Sequence, residues 1–265
     1  MYIWLKQTIA HARFPVCDDL PLDLFSVESR ILLLAPHPDD EVFGLGGYMI
    51  KYRKKFARDD MPDSMNRVFV CFLTDGEASL TDEPKSEIAL HRKDISTRAL
   101  HRLKLEEKQI LRLHLPDGMV TENLSLTSDD KTFCALNEFI MQHKINVILA
   151  PSQYEFWPKD HVAAFYLARS LCEKTGCKLY SYWVWTWFNI SALKLFKLRK
   201  ENIFRLPIPD VLDEKIELIH FYLRETNANG HSWCGNLPPA LLRAVSWKYE
   251  ILMFHPIEAS AANPE

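Results

Sequence analysis

A histidine and three carboxylates crowd into the five consecutive positions His37-Pro-Asp39-Asp40-Glu41. Imidazole and carboxylate are the usual donors of catalytic zinc sites, which take three protein ligands and leave a position for water. His37 and Asp40 can supply two of those donors from one loop. The third has to come from another part of the chain, and the best placed candidate is His161 in Trp157-Pro158-Lys159-Asp160-His161. Asp39 adjoins Asp40 but is expected to point differently, so that it can take a proton from water as it attacks and pass it to a leaving group. A metal there acidifies water and polarises a carbonyl, which is the chemistry of hydrolysis without a covalent intermediate.

Such a constellation needs rigid elements behind it. The apolar run Arg30 to Ala35 reads as a buried strand that ends in the acidic loop, and Glu41 to Lys54 has helical spacing. Arg67 to Leu73, Ile110 to Leu115 and Ile145 to Ala150 read as further strands, separated by helical segments over Glu87 to Leu103 and Thr132 to His143. Val162 to Thr175 and Leu212 to Leu223 complete the helical set. This alternation predicts an α/β fold with a mostly parallel sheet and helices on both faces. Strand ends distant in sequence then become neighbours along one edge, where α/β proteins bind ligands. Gly44, Gly46 and Gly47 fall inside a helical segment, too late for a dinucleotide fingerprint, and are expected to let that helix pack closely on the sheet.

The 265 residues suit one large domain, and no repeat, linker or composition shift marks a boundary, so a single domain over 1–265 is expected. A hydrophobic fraction of 48% and a charged fraction of 25% exclude disordered and fibrous classes. The net charge of −3 argues against a nucleic-acid partner, since the run Lys194 to Lys200 is the one short basic stretch and reads as a solvated helix face. Six cysteines without Cys-x-x-Cys spacing suggest reduced thiols and a cytoplasmic setting. The first residues lack the apolar region of a secretory signal, and no uncharged stretch is long enough to cross a bilayer.

Lys178 to Phe188 reads as a strand that places Trp183, Trp185 and Trp187 on one face. Three uses are open to such a stripe: packing, a stacking platform for sugar rings, or a peripheral membrane contact together with the interleaved basic and apolar residues of Leu193 to Lys200.

Taken together, Pro36-His37-Pro38-Asp39-Asp40-Glu41, Phe72-Leu-Thr-Asp75-Gly-Glu77, Leu115-Pro-Asp117-Gly118 and Asp160-His161-Val-Ala-Ala164 occur in an order that resembles the LmbE-like (PIG-L) family of zinc-dependent N-deacetylases. The resemblance covers about Arg30 to Phe188. It implies a Rossmann-like three-layer sandwich and removal of an acetyl group from an N-acetylglucosamine-type sugar in a glycoconjugate or secondary metabolite. It implies one Zn2+ held by His37, Asp40 and His161, although iron or manganese also suits this donor set, with Asp39 as general base.

Arg92 matches a basic family position that contacts substrate hydroxyls. Asp75 is a further candidate for lining the site, Asp160 for orienting a ligand or capping its helix, and Asp117 reads as a turn residue. The family's second metal motif begins with a histidine that helps stabilise the oxyanion. Pro158 stands there in this chain, so either the metal alone carries the charge or a donor from elsewhere, such as His231 or Tyr154, fills the gap. Hydrolysis of another amide or ester, or a binding protein that keeps the fold with impaired catalysis, are the alternatives. The oligomeric state is not readable from the sequence.

Overall fold

Apolar runs of five to seven residues, buried at every position, form the centre of the molecule as β1 (Ile31–Ala35), β2 (Val68–Thr74) and β4 (Val147–Pro151). The computed structural model describes residues 2–17, 24, 26, 28–57, 67–123 and 130–257. The remaining strands are β3 (Ile110–Leu115), β5 (Lys178–Tyr182), β6 (Ile203–Pro207) and β7 (Tyr249–His255). The helices are α1 (Ile3–Arg13), α2 (Asp40–Ala57), α3 (Lys85–Arg102), α4 (Val120–Asn123), α5 (Lys131–His143), α6 (Lys159–Thr175), α7 (Thr186–Asn189), α8 (Ala192–Lys197), α9 (Leu212–Arg224) and α10 (Pro239–Val245).

All strands join one sheet in the order β3-β2-β1-β4-β5-β7-β6. The first five run parallel, and β7 pairs antiparallel with both β5 and β6. Because side chains alternate along a strand, Ile31, Leu33 and Ala35 enter a core shared with α2, α3 and α9, whereas Leu32 and Leu34 enter one shared with α5 and α6. The result is the expected three-layer α/β sandwich. A third cluster gathers α1, α7, α8 and α10 beyond β5.

The order of connections reverses between β1 and β4, and the chain leaves their carboxyl ends toward opposite sides. Such a point opens a crevice that α/β proteins use for ligands. The loop carrying His37 follows β1, and the loop leading to His161 follows β4.

Helix α2 begins at Asp40 and kinks at Leu45, whose φ of −136° is not helical. An unbroken helix would pair the Gly47 N–H with the Phe43 carbonyl. Instead Gly47 N–H and Tyr48 N–H donate to the Glu250 carboxylate of β7 at 2.7 and 2.8 Å. The freed Phe43 carbonyl accepts from Lys215 of α9 at 2.9 Å, and Lys215 pairs with Glu250 at 2.7 Å. A buried ion pair thus fills the break. Close packing of α2 on the sheet also depends on Gly44, where a Cβ would stand 2.3 Å from the Tyr182 ring.

One expectation fails here. Strand β5 stops at Tyr182, so the three indoles do not share a face. The Glu155 carboxylate accepts from Val184 N–H, Thr186 N–H and the Thr186 hydroxyl at 2.6, 2.9 and 2.8 Å, which turns the chain into α7. Trp183 and Trp187, four apart, then pack edge to face in the third core, while Trp185 meets Trp157 on the other side.

Two stability predictions follow from these contacts. Lys215→Met leaves Glu250 buried without its cation and should cost roughly 3–5 kcal/mol, read as a lowered urea midpoint with an unchanged slope. His255 accepts or shares a hydrogen bond with Ser181 at 2.8 Å, and burial lowers its pKa from 6.5 to about 4. The folded chain therefore resists protonation that the unfolded chain accepts, so the stability this group contributes is complete above pH 6.5 and lost as pH falls toward about 4. His255→Gln should flatten that part of the stability profile relative to the parent chain.

Candidate metal centre

At the crevice, the turn after β1 is held by its own side chains. The Pro36 carbonyl accepts from the backbone and hydroxyl of Thr74 at 3.0 and 2.9 Å, which ties the turn to β2. Asp40 opens α2, and its Oδ2 accepts from the His37 N–H at 3.0 Å. The same oxygen lies 3.1 Å from His37 Nδ1 and 3.3 Å from His161 Nε2. His161 sits in the first turn of α6, fully buried, and its Nε2 has no hydrogen-bond partner.

These three donor atoms lie within 4.8 Å of one another. Ligands at about 2.0–2.1 Å around a tetrahedral ion stand about 3.3 Å apart, so the spacing suits a zinc-sized cation. The Nε2 of His161 supports that fit, because a buried polar atom ordinarily makes a well-formed hydrogen bond and this one has the Asp40 carboxylate at 3.3 Å instead.

Each imidazole is held from behind by a carboxylate. His161 Nδ1 lies 2.6 Å from Glu155 Oε2, which leaves Nε2 facing the centre. His37 Nε2 lies 3.3 Å from Asp160 and 3.2 Å from Asp117. Asp160 does not cap its own helix. It accepts from Gly118 N–H and Val120 N–H at 2.7 and 3.1 Å, fastening the loop after β3 to the start of α6.

Asp39 adopts φ 150°, a conformation that residues with side chains rarely take. Its backbone N–H donates to Glu41 at 3.0 Å, while Arg92 donates to the Asp39 carboxylate at 3.0 Å and to the Pro38 carbonyl at 2.8 Å. Tyr222 donates in turn to Glu41. Burial raises the Asp39 carboxyl above the usual carboxylate range, with Arg92 opposing and Asp40 adding to the rise. Burial also acts to raise Asp40, yet His161 and His37 hold it below that range. His161 is lifted to about 9, because Asp40 and Glu155 overcome the depression that burial causes.

A cleft of about 280 Å³ opens onto this group, lined by Asp39, Asp117 and Arg92 on one side and by Trp157, Pro158 and Trp185 on another. The turn at Cys234 to Leu237 closes it. Gly235, at φ 81°, makes that closure possible, since a Cβ there would stand 2.8 Å from the Ser79 carbonyl.

Several expected residues sit elsewhere or act differently. Asp75 pairs with His114 at 2.7 Å and does not line the cleft, because the turn after β2 directs it to the β3 side. Arg92 borders the cleft, and its two terminal nitrogens donate to Gly76, Pro38 and Asp39. Asp117 exchanges roles with Asp75 and faces His37. His231 pairs with Asp82 at 3.1 Å, and Tyr154 lies under Lys194, so neither supplies the donor missing at Pro158. Glu155 was not anticipated. Its one signal is a carboxylate in the loop after β4, six residues before His161.

Comparison with known proteins agrees with this architecture. The model of the PIG-L family, described as GlcNAc-PI de-N-acetylase, matches residues 32–172. A search among curated proteins gave no match. Among solved structures, N,N'-diacetylchitobiose deacetylase from Pyrococcus horikoshii is similar with a TM-score of 0.51 at 20% identity, covering 82% of this chain and 75% of that one. A deacetylase of the teicoplanin biosynthesis pathway gives 0.54 at 16% identity, covering 89% and 100%. GalB, the 4-carboxy-2-hydroxymuconate hydratase of Pseudomonas putida KT2440, gives 0.57 at 13% identity, covering 89% and 100%. At these identities the likeness concerns the fold, and the fold carries hydration as well as deacetylation.

If Glu155 holds His161 toward a cation, Glu155→Gln should weaken metal affinity about 10–100-fold with the fold intact. Equilibrium dialysis against zinc, with circular dichroism as the control, measures this; unchanged affinity would remove Glu155 from the centre.

Proposed function

The chain belongs to the PIG-L family, and on that premise we propose that it is a metal-dependent hydrolase that removes the acetyl group from an N-acetylated amino sugar of the N-acetylglucosamine type. The observation that carries this reading is the convergence of His37 Nδ1 and His161 Nε2 on Asp40 Oδ2 beside the buried Asp39, with His37, Asp39 and Asp40 lining one cleft. His37, Asp40 and His161 would hold the cation, with zinc the favoured ion and one bound per chain. When bound, such a cation polarises the acetyl carbonyl and acidifies water.

The residues of the chain do the rest. Asp39, raised by burial, accepts a proton from the attacking water and delivers it to the departing amine. Arg92 fixes the Asp39 carboxylate so that it need not reorganise during transfer. Asp160 and Asp117 keep His37 oriented, and Glu155 does the same for His161. Asn236, an exposed amide on the cleft wall, is available to donate to the substrate where Pro158 has no imidazole to offer. The products are acetate and a free amino sugar.

A cleft of about 280 Å³ lies at the small end of ligand pockets and suits one sugar ring, which leaves the rest of a conjugate outside. Trp157 and Trp185, edge to face at 4.9 Å, offer aromatic surface at the mouth for the apolar face of that ring. The deacetylases among the similar structures support the reaction class, and one of them is described as acting on N,N'-diacetylchitobiose.

An acetate-release screen over N-acetylglucosamine conjugates, simple amides and esters tests the reading. Turnover should require added metal and should favour the sugar conjugates; preferential cleavage of simple esters would replace the proposed substrate class. Asp39→Asn should lower kcat by roughly 10²–10⁴-fold while metal content stays unchanged. His161→Ala should lose both metal and turnover.

A further inference from the structure

Beside the cleft, exposed apolar side chains and cations share one surface. Helix α8 anchors itself in the third core through Leu195, yet it leaves Leu193 and Phe196 65% and 55% exposed. Lys194 and Lys197 alternate with them, and Arg199 and Lys200 follow, all exposed. Helix α1 packs alongside: Arg13 lies 4.6 Å over the Phe196 ring and donates to the Leu198 carbonyl at 3.0 Å. Leu5 of α1 and Tyr2 just before it are exposed.

The other flank of α8 reaches the cleft. Asn189, just before it, donates to the Trp157 carbonyl at 2.6 Å, and Lys194 stands 5.0 Å over the Tyr154 ring. That same loop exposes Phe156 and Trp157, and Trp157 lines the cleft. Apolar and cationic groups therefore run from α1 across α8 to the rim.

Cations predominate on this surface, with Glu201 just after Lys200 as the nearest acidic residue of α8 and its flank. No aspartate or glutamate occurs from Tyr2 to Cys17 or from Trp183 to Lys200, in a chain whose net charge is −3. We propose that this face docks on an anionic lipid bilayer, with the aromatic and leucine side chains entering the interface and the lysines and arginines meeting the headgroups. A bilayer of that kind offers an apolar layer beneath a negative one, which is the complement of this surface. A second copy of the chain would set the cations of α8 against one another across a symmetric contact. Docking would bring the cleft mouth to the headgroup level. The docking itself does not rest on the deacetylase reading.

Co-sedimentation of the full chain with vesicles of phosphatidylglycerol and phosphatidylcholine tests this, with pure phosphatidylcholine vesicles as the comparison. Binding is expected to the anionic vesicles, to weaken as salt is raised, and to be at least tenfold weaker without phosphatidylglycerol. The variant K197E/R199E/K200E should weaken binding more than ~10-fold, since each basic residue near a charged surface contributes several-fold. Its circular dichroism and its turnover of a water-soluble substrate should match the parent. Leu193→Ser probes the apolar part separately and should also lower binding. Absence of pelleting at low salt overturns the proposal, as does binding that the triple variant leaves unchanged. A dimer in sedimentation velocity that the same variants dissociate, without vesicle binding, assigns the face to a second copy instead.

Discussion

The candidate centre is governed by an excess of buried negative charge. Asp39, Asp40, Glu41, Glu155 and Asp160 are all buried around two imidazoles. Burial raises Glu41 to about 8 and so favours its neutral form, and among the described residues Arg92 is the permanently charged buried cation that touches the group. Burying unbalanced carboxylates is costly unless positive charge accompanies them. Protons on His37 and His161 can meet that need, as the upward displacement of both imidazoles reflects, and a divalent ion meets it with fewer compromises. The placement of every other nearby group follows from this requirement. The carboxylates behind the imidazoles turn one nitrogen of each toward Asp40, and Arg92 serves the carboxylate left over.

Holding that arrangement requires a rigid floor. The turn after β1 takes a strained backbone at Asp39 and is closed by Thr74, Glu41 and Arg92 from three different elements. Behind it, α2 approaches the sheet over Gly44 and bends where Lys215 and Glu250 replace the missing hydrogen bond. The kink lets the first turn of α2 point Asp40 into the crevice while the rest of the helix follows the sheet. Local strain is thus supported by long-range contacts, which is the pattern expected where geometry serves chemistry.

Much of this could be read in advance where pattern and chemistry coincide. The strands β1, β2 and β4 are continuous apolar runs because both faces are covered, and the topology then brings His37 and His161 to neighbouring strand ends. Other features depended on distant partners. The alternation of tryptophans after Lys178 imitates a strand, but Glu155, 29 residues before Val184, accepts its N–H and bends the chain into a helix. Asp75 and Asp117 both sit in glycine turns after strands, and their local patterns do not distinguish them. Which one faces His37 is decided by the packing of the β2 and β3 loops.

Glu155 has a second consequence beyond orienting His161. One of its oxygens faces His161, and the other gathers the donors of Val184 and Thr186 at the turn that carries Trp185. A carboxylate is rigid and planar, so its two ends cannot move independently. The residues proposed to hold the cation and the aromatic rim are thus linked through a single side chain, and displacing either end of that carboxylate would displace the other.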